Sequence, residues 1–472
     1  MTAAMTRPDI WHRFARSSPA ARRRRTGFCA SMTPRGAATC SRFSTPSNIN
    51  DHPARRHGGL PARRLAGPDQ RRIAFMPVLL FIVGINFVGV GALIPVLPLT
   101  VIESGYPASV MTLLLASYAF AMFIGNPVLG RLSDHFGRRL MLFGSLAVGA
   151  AAHAWFAFSG DIVTMFVARI VAGFAAGNTG VIQAMIADRT APEKRAQYMG
   201  FLGAAIGIGF VAGPALGGLL SEVGDGPVHQ APFLLAAGFS FLALLMTVRL
   251  KAPEGGRLPS HSAEAGVYQR VRALLASPLA PYALVSLALN LSFAQVEASF
   301  VLVLRDYLDY GPRETGWLFA YVGVCIILVQ AFLIRRIVGR FGEVSTVRTG
   351  GIFLMLAQAL TVLLVLGMLP ASGTPLVQTL FVTTGICFGY AIATPAISSA
   401  ASRLAGASSM GGALGMIQGF GSLGQVAGLV LAGPLYDLGG SQYPFGFGAA
   451  VTLAMLALVP SLTRPSTDGE AG

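Results

Sequence analysis

Apolar runs of about 20 residues recur twelve times between Ile73 and Leu462, and this recurrence constrains the fold more than any other property of the chain. A helix rises about 1.5 Å per residue, so each run can cross roughly 30 Å of hydrocarbon. No water is available there for backbone N–H and C=O groups, so such a run must carry its own hydrogen bonds, as a helix does. The expected spans are 73–99, 110–130, 139–159, 162–187, 197–220 and 231–250, then 279–304, 315–336, 345–369, 374–400, 409–433 and 443–462. With 53% of residues hydrophobic and 12% charged, the chain is too apolar for an ordinary soluble fold. The expected class is an all-α integral membrane protein.

The formal net charge of +15 would suit a nucleic-acid binder, but its location argues otherwise. Residues 1–72 hold 15 of the 35 Lys+Arg and 3 of the 20 Asp+Glu, which leaves the remainder at only +3. No nucleic-acid partner is expected. The segment 1–72, with Arg22 to Arg25 in a run among Ser, Pro and Ala, lacks apolar periodicity and reads as a disordered Arg-rich extension. A transit peptide shares that composition, and a translation start at Met32 or Met76 would remove the segment altogether. A dispensable extension is the preferred reading. Cys29 and Cys40 fall in this extension, Cys325 and Cys387 fall in spans, and no C-x-x-C occurs, so no metal is expected.

Orientation follows from the loop charges. Arg131, Arg138, Arg139, Arg189, Lys194, Arg195, Arg249, Lys251, Arg335, Arg336, Arg340, Arg348 and Arg403 cluster on one side of the expected spans, and only Arg305 and Arg313 fall on the other. Basic residues favour the cytoplasmic side, so both termini are expected there. The longest internal polar loop, 251–278, separates a six-span half, 73–250, from a second, 279–462, with a short tail at 463–472. The halves are related in sequence. Asp134-His-Phe-Gly137 aligns with Gly339-Arg-Phe-Gly342, and Gly200, Gly209 and Gly213 align with Gly415, Gly424 and Gly428. Asn86 likewise falls opposite Asn290. Such internal symmetry is the mark of secondary transporters built from a repeated unit.

Two strings carry the most information. The first is Gly130-Arg-Leu-Ser-Asp134-His-Phe-Gly137-Arg138-Arg139. Its glycines suit a close approach and a tight turn, and Asp134 is suited to a helix N-terminus. The second is Gly200, Gly209, Gly213-Pro214 and Gly217-Gly218 in span five, where glycines let helices pack closely and Pro214 permits a bend. The first string resembles the G-x-L-x-D-x-x-G-R-[KR] signature of the Major Facilitator Superfamily at every defining position. The second is similar to that family's G-x8-G-x3-G-P-x2-G-G exporter pattern. The resemblance implies a gate motif whose Asp134 faces the start of span eleven at Ser408-Ser409, and a fold of two pseudo-symmetric six-helix halves.

Within the spans, charge marks the expected coupling site. Arg169, in a string resembling the family's span-four motif, needs a partner or a water-filled cavity. Span seven supplies Glu297, and the two fall at similar depth, roughly 10 Å from one end of their spans. A structural ion pair is the alternative for Arg169, and a position near the outer surface the alternative for Glu297. A carboxyl withdrawn from water favours its protonated form, so Glu297 is the expected proton carrier, with Arg169 sensing its charge. Asn86, Asn290, Gln330, Tyr390 and Gln418 are the expected cavity residues, although helix-to-helix hydrogen bonding would also explain them. His153 reads as a structural histidine.

No P-loop, H-E-x-x-H or G-x-S-x-G is present, and Gly419-Phe-Gly421-Ser-Leu-Gly424 lies in an apolar span rather than after a strand. An enzyme is not expected, nor a cofactor, and an ion gradient is the expected energy source. Asn86 to Pro98 and Ile186 to Arg195 resemble the tetracycline antiporter branch, but that branch's membrane-embedded acids are replaced here by Asn86 and His153. Its histidine and aspartate of spans eight and nine are replaced by Ile326 and Leu354. The expected function is proton-coupled export of a small hydrophobic organic compound by a monomer in the bacterial cytoplasmic (inner) membrane. Import of a metabolite or sugar is the first alternative, and a non-transporting membrane sensor the second.

Overall fold

The computed structural model describes residues 68–223, 229–250, 272, 275–368 and 374–463. The extension up to residue 67, most of the 251–278 linker and residues 464–472 lie outside the described residues. Among the described residues twelve helices are long and apolar enough to cross a membrane: Phe75–Glu103, Ala108–Phe136, Arg138–Ala157, Ile162–Arg189, Gln197–Leu220 and Gln230–Thr247, then Ala280–Leu308, Pro312–Phe341, Glu343–Val365, Pro375–Ala405, Ala413–Gly439 and Gln442–Leu462. They are called spans one to twelve in that order.

Turn chemistry alternates the spans between two ends. The turn after span two is made at Gly137 (φ +94°) and the corresponding turn after span eight at Gly342 (φ +76°), conformations that a side-chain-bearing residue rarely adopts. These two positions are the aligned glycines of the sequence repeat. The end that carries them is the motif end, and the other is the far end.

Four of these spans depart from plain, separate helices. Span four breaks at Gly177–Asn178 between helices Ile162–Ala176 and Thr179–Arg189. Gly177 presses on the Gly125–Asn126 backbone of span two, Asn178 donates to Ser145 Oγ (3.0 Å), and Asn126 Oδ1 accepts from Gly180 N (3.2 Å), so a side chain of span two takes up a backbone donor at the break. Span eight contains a single π-helical turn, Val329–Leu333. Spans ten and eleven form one unbroken helical stretch, Pro375–Gly439, where the sequence suggests a fresh start at Ser408-Ser409. The chain nevertheless turns back within it: Tyr390 and Gly421 both lie against Asn290, although a straight helix would separate them by about 46 Å.

Glycine sets the closest approaches. A Cβ at Gly209 would fall 2.6 Å from Phe87 Cβ, one at Gly213 2.6 Å from the Val88 carbonyl, and one at Gly217 would overlap the Ala92 carbonyl. Spans one and five therefore touch backbone to backbone along three helical turns. Gly424 and Gly428 dock in the same way on Leu287 and Leu291 of span seven. The two dockings also correct the alignment of the asparagines. Phe87 and Leu287 are 200 residues apart and Asn86 and Asn290 204, so Asn290 lies one turn further along its span than Asn86.

Gly218 faces another way, toward span eight, where its Cβ would fall 2.7 Å from the Pro312 carbonyl; around Gly200 nothing lies within 4 Å. The motif thus joins a span-one contact to a span-eight contact. Gly217→Ala is expected to destabilise the protein by about 1–3 kcal/mol through overpacking, whereas Gly200→Ala should be neutral or slightly stabilising. Thermal unfolding of the detergent-purified variants checks this, and equal midpoints would refute the packing role of Gly217.

Candidate functional site

The acidic side chain of span seven lies in a polar cluster. Gln425 of span eleven donates its Nε2 to Glu297 Oε2 (2.9 Å), and Glu297 is only partly buried. About two helical turns toward the motif end, Tyr390 of span ten donates its hydroxyl to Asn290 Oδ1 (3.1 Å) and stacks on Phe293 with ring centroids 3.7 Å apart. Asn290 donates in turn to the Ser286 carbonyl (2.8 Å). Gln418 is exposed two helical turns before Gln425, on the same side of span eleven, between the face that docks on span seven and the face that meets span two. Glu297, Asn290, Tyr390 and Gln418 thus belong to one region. Asn86 does not join it: it accepts from Ser240 of span six (3.0 Å). Gln330 stands exposed on the π turn of span eight, nearer the motif end.

Arg169 has a different setting. It is 7% exposed, its guanidinium carbon sits 4.3 Å over the ring of Tyr118 in span two, and its Nε is buried without a hydrogen-bond partner. Among the described residues no carboxylate lies within 4.0 Å of it, so the structure pairs it with neither Glu297 nor any other acid. Chain neighbours of Tyr118 and of Glu297 meet at a common seam. Ala116 and Ala119, either side of Tyr118, pack with Ala294 and Ala298, either side of Glu297, and with Leu429 and Ala432. His153 on span three is buried. An apolar cavity of about 470 Å³ between spans two, three and four, lined by Phe120, Ile124, Val148, Ile170 and Phe174, holds none of the expected site residues.

At the motif end the described ion pairs stay inside each six-span set. Arg138, directly after Gly137, pairs with Asp134 (3.0 Å) and with Asp188 near the end of span four (2.5 Å), while Arg139 donates to the Thr247 and Val248 carbonyls at the end of span six (3.1 and 2.7 Å). Asp134 is thus held by Arg138, and the side chains around Ser408-Ser409, which the sequence expectation sets opposite it, lie outside the described residues. Gly130 has no neighbour within 4 Å of its would-be Cβ and leaves the helix surface there flat. The second set repeats the brace with its charges exchanged: Glu343, directly after Gly342, pairs with Arg403 of span ten and accepts from Ser399 (3.2 Å).

At the far end the contacts cross between the sets. Span four is capped by its own Asp161, whose carboxylate accepts from Thr164 N (2.9 Å); that hydrogen bond holds its carboxyl below the usual range. Span two begins after Pro107, which has no side-chain acceptor, and its free Ala108 and Ser109 N–H groups donate instead to Asp437 at the end of span eleven (3.1 and 3.0 Å). Beside this cap Gly433 lies against Ser109 and Thr112, and Arg313 pairs with Glu222 (3.3 Å). The far end is closed by contacts that the motif end lacks among the described residues.

Gln425, Tyr118, Asp437 and the Glu343–Arg403 brace escaped sequence reasoning. Gln425 repeats Gln418 at a seven-residue spacing, which is a helical-face signal, and Glu343 and Arg403 sit at the repeat positions of Arg138 and Asp188 with the charges exchanged.

A family model described as Major Facilitator Superfamily matches residues 79–389. Multidrug resistance protein 1 of Bacillus subtilis is 29% identical over 395 residues, covering 83% of this chain and 97% of its own length. The quinolone resistance protein NorA of Staphylococcus aureus is 26% identical over 388 residues, 81% of this chain and 95% of its own. Among solved structures, the human organic anion transporter MFSD10 (TETRAN) superposes with a TM-score of 0.62 at 22% identity, covering 83% of this chain and 99% of its own. The nucleoside transporter NupG gives 0.65 at 14% identity, covering 83% and 100%.

The Asp437 cap exists only while the far end is closed, so its removal should weaken that state alone. Losing an N-cap costs about 1 kcal/mol, or roughly a fivefold shift toward the open far end. Spin labels on Ser104→Cys and Glu314→Cys, in a background without the native cysteines, should report a larger long-distance population in Asp437→Ala. An unchanged distance distribution would rule out the cap as a lock.

Proposed function

Since the chain belongs to the Major Facilitator Superfamily of secondary transporters, we propose that it exports a small hydrophobic organic compound in exchange for protons. The observation that carries this reading is the partly buried Glu297, held by the neutral Gln425 rather than by a cation, beside the seam between the two six-span sets. A carboxylate without a cationic partner in a low-dielectric setting has much to gain from a proton, and a neutral amide can hydrogen-bond either form. Arg169, across the same seam, is the fixed charge against which the proton on Glu297 is weighed.

Residues 73–250 and 279–462 are read as the two rocking halves, joined by the 251–278 linker, with Gly130, Asp134, Gly137, Arg138 and Arg139 as the gate motif. The excess of Lys and Arg at the motif end supports a cytoplasmic position for it and for both termini. On that orientation the described state is closed toward the outside. The substrate enters between the halves near Asn290, Tyr390 and Gln418, with Gln330 at the entrance, and leaves after the far-end contacts open. Asn86, bonded within the first half, backs the cavity from the other side. Protons then reach Glu297 from outside, and 100 mV supplies about 2.3 kcal/mol for each charge moved.

Outward direction is supported by the names of the bacterial relatives, a multidrug and a quinolone resistance protein. The complete span-five pattern of Gly200, Gly209, Gly213, Pro214, Gly217 and Gly218 points the same way. The relation to tetracycline antiporters rests on the strings of spans one and four, and the replaced acidic positions argue against a metal chelate as cargo. We place the protein in a bacterial cytoplasmic membrane as a monomer surrounded by lipid.

Dye efflux from energised cells is expected to be abolished by a protonophore and reduced at least tenfold by Glu297→Gln. Full-rate pumping by Glu297→Gln would overturn the proton assignment. Accumulation in right-side-out rather than inverted vesicles would replace export by import.

A further inference from the structure

The guanidinium of span four is an unfinished site. Two charged side chains, other than histidine, are buried among the described residues, Arg169 at 7% exposure and Glu343 at 8%. Glu343 is completed by Arg403 and Ser399. Arg169 has only the ring of Tyr118, its Nε is an orphaned donor, and no carboxylate among the described residues lies within 4.0 Å of it. The attraction of a ring face is smaller than the desolvation of a buried cation, so the charge is under-compensated as it stands.

Geometry narrows what can complete it. Tyr118 covers one side of the guanidinium carbon, and the orphaned Nε leaves an N–H edge for a second partner. That edge matches two oxygens in a plane, which a carboxylate supplies and a halide does not. Tyr118 adds a flat aromatic surface, and its neighbours Ala116 and Ala119 belong to the seam between the six-span sets. We propose that Arg169 and Tyr118 form a subsite for an aromatic carboxylate, so that the transported compounds include organic acids bound by their carboxyl group at Arg169. The assignment rests on the transport reading for the idea that a small molecule visits this seam. Its test is a binding measurement, so failure of export and failure of the subsite are separately visible.

The full-length chain in lipid nanodiscs is heated with sodium benzoate, with benzamide as the neutral counterpart, or with sodium chloride at equal ionic strength. Benzoate is expected to raise Tm by about 2 °C or more above the other two, in the native chain and in Glu297→Gln alike. Arg169→Gln should lose the shift, and Arg169→Lys, which keeps the charge without the fork, should retain less than half of it. A chloride shift equal to that of benzoate would overturn the carboxylate assignment. No benzoate shift in the native chain, or an undiminished one in Arg169→Gln, would overturn the subsite itself. If Arg169→Gln does not fold, Tyr118→Leu gives the reading: apparent benzoate affinity should fall several-fold, and unchanged affinity would refute the role of the ring.

Discussion

Backbone contact through glycine, at the crossings of span five with span one and of span eleven with span seven, is the constraint on which the remaining architecture depends. Lipid offers no hydrophobic reward for helix association, so close van der Waals approach must supply it. Gly209, Gly213 and Gly217 allow that approach on one side, and Gly424 and Gly428 on the other. Once these crossings are fixed, Gly218 meets Pro312 and Arg313, Gly433 meets Ser109, and the alanines around Tyr118 and Glu297 form the seam. The polar clusters are held at the seam because the helices carrying them cannot shift along one another without a backbone clash.

Charge is then distributed by function of place. At the motif end each six-span set carries a brace immediately after its turn glycine, Arg138 with Asp188 in one and Glu343 with Arg403 in the other. Exchange of the two signs preserves attraction within each brace and also leaves opposite charges, Arg138 and Glu343, at equivalent positions of the two sets. At the far end the Asp437 cap and the Arg313–Glu222 pair run between the sets. These exposed pairs contribute modestly to stability. Their value lies in being broken and remade, since a cap that one set lends the other is lost as soon as the two separate.

The spans were legible because a membrane enforces a length and a composition that a sequence cannot disguise. The gate string and the span-five string were legible for a related reason: glycine at a turn with positive φ, or at a helix crossing, has few substitutes. Gln425 and Tyr118 were not, because a single glutamine or tyrosine in a span has several ordinary roles. Only its neighbours distinguish them. The break at Gly177–Asn178 was hidden for the same reason, being caused by the approach of span two rather than by anything unusual in span four.

By itself, then, the sequence determined the twelve spans, their alternating ends, the repeat of Gly137 at Gly342 and the residues that carry charge inside the membrane. Those follow from local physics: hydrocarbon thickness, backbone hydrogen bonding and the conformational freedom of glycine. Tertiary structure alone decided that Glu297 rests on Gln425, that Arg169 lies on Tyr118 apart from every described carboxylate, and that Asp437 caps a helix 329 residues away. Such pairings depend on the angles and registers at which helices cross, and those are set by contacts between distant segments that no single stretch of chain contains.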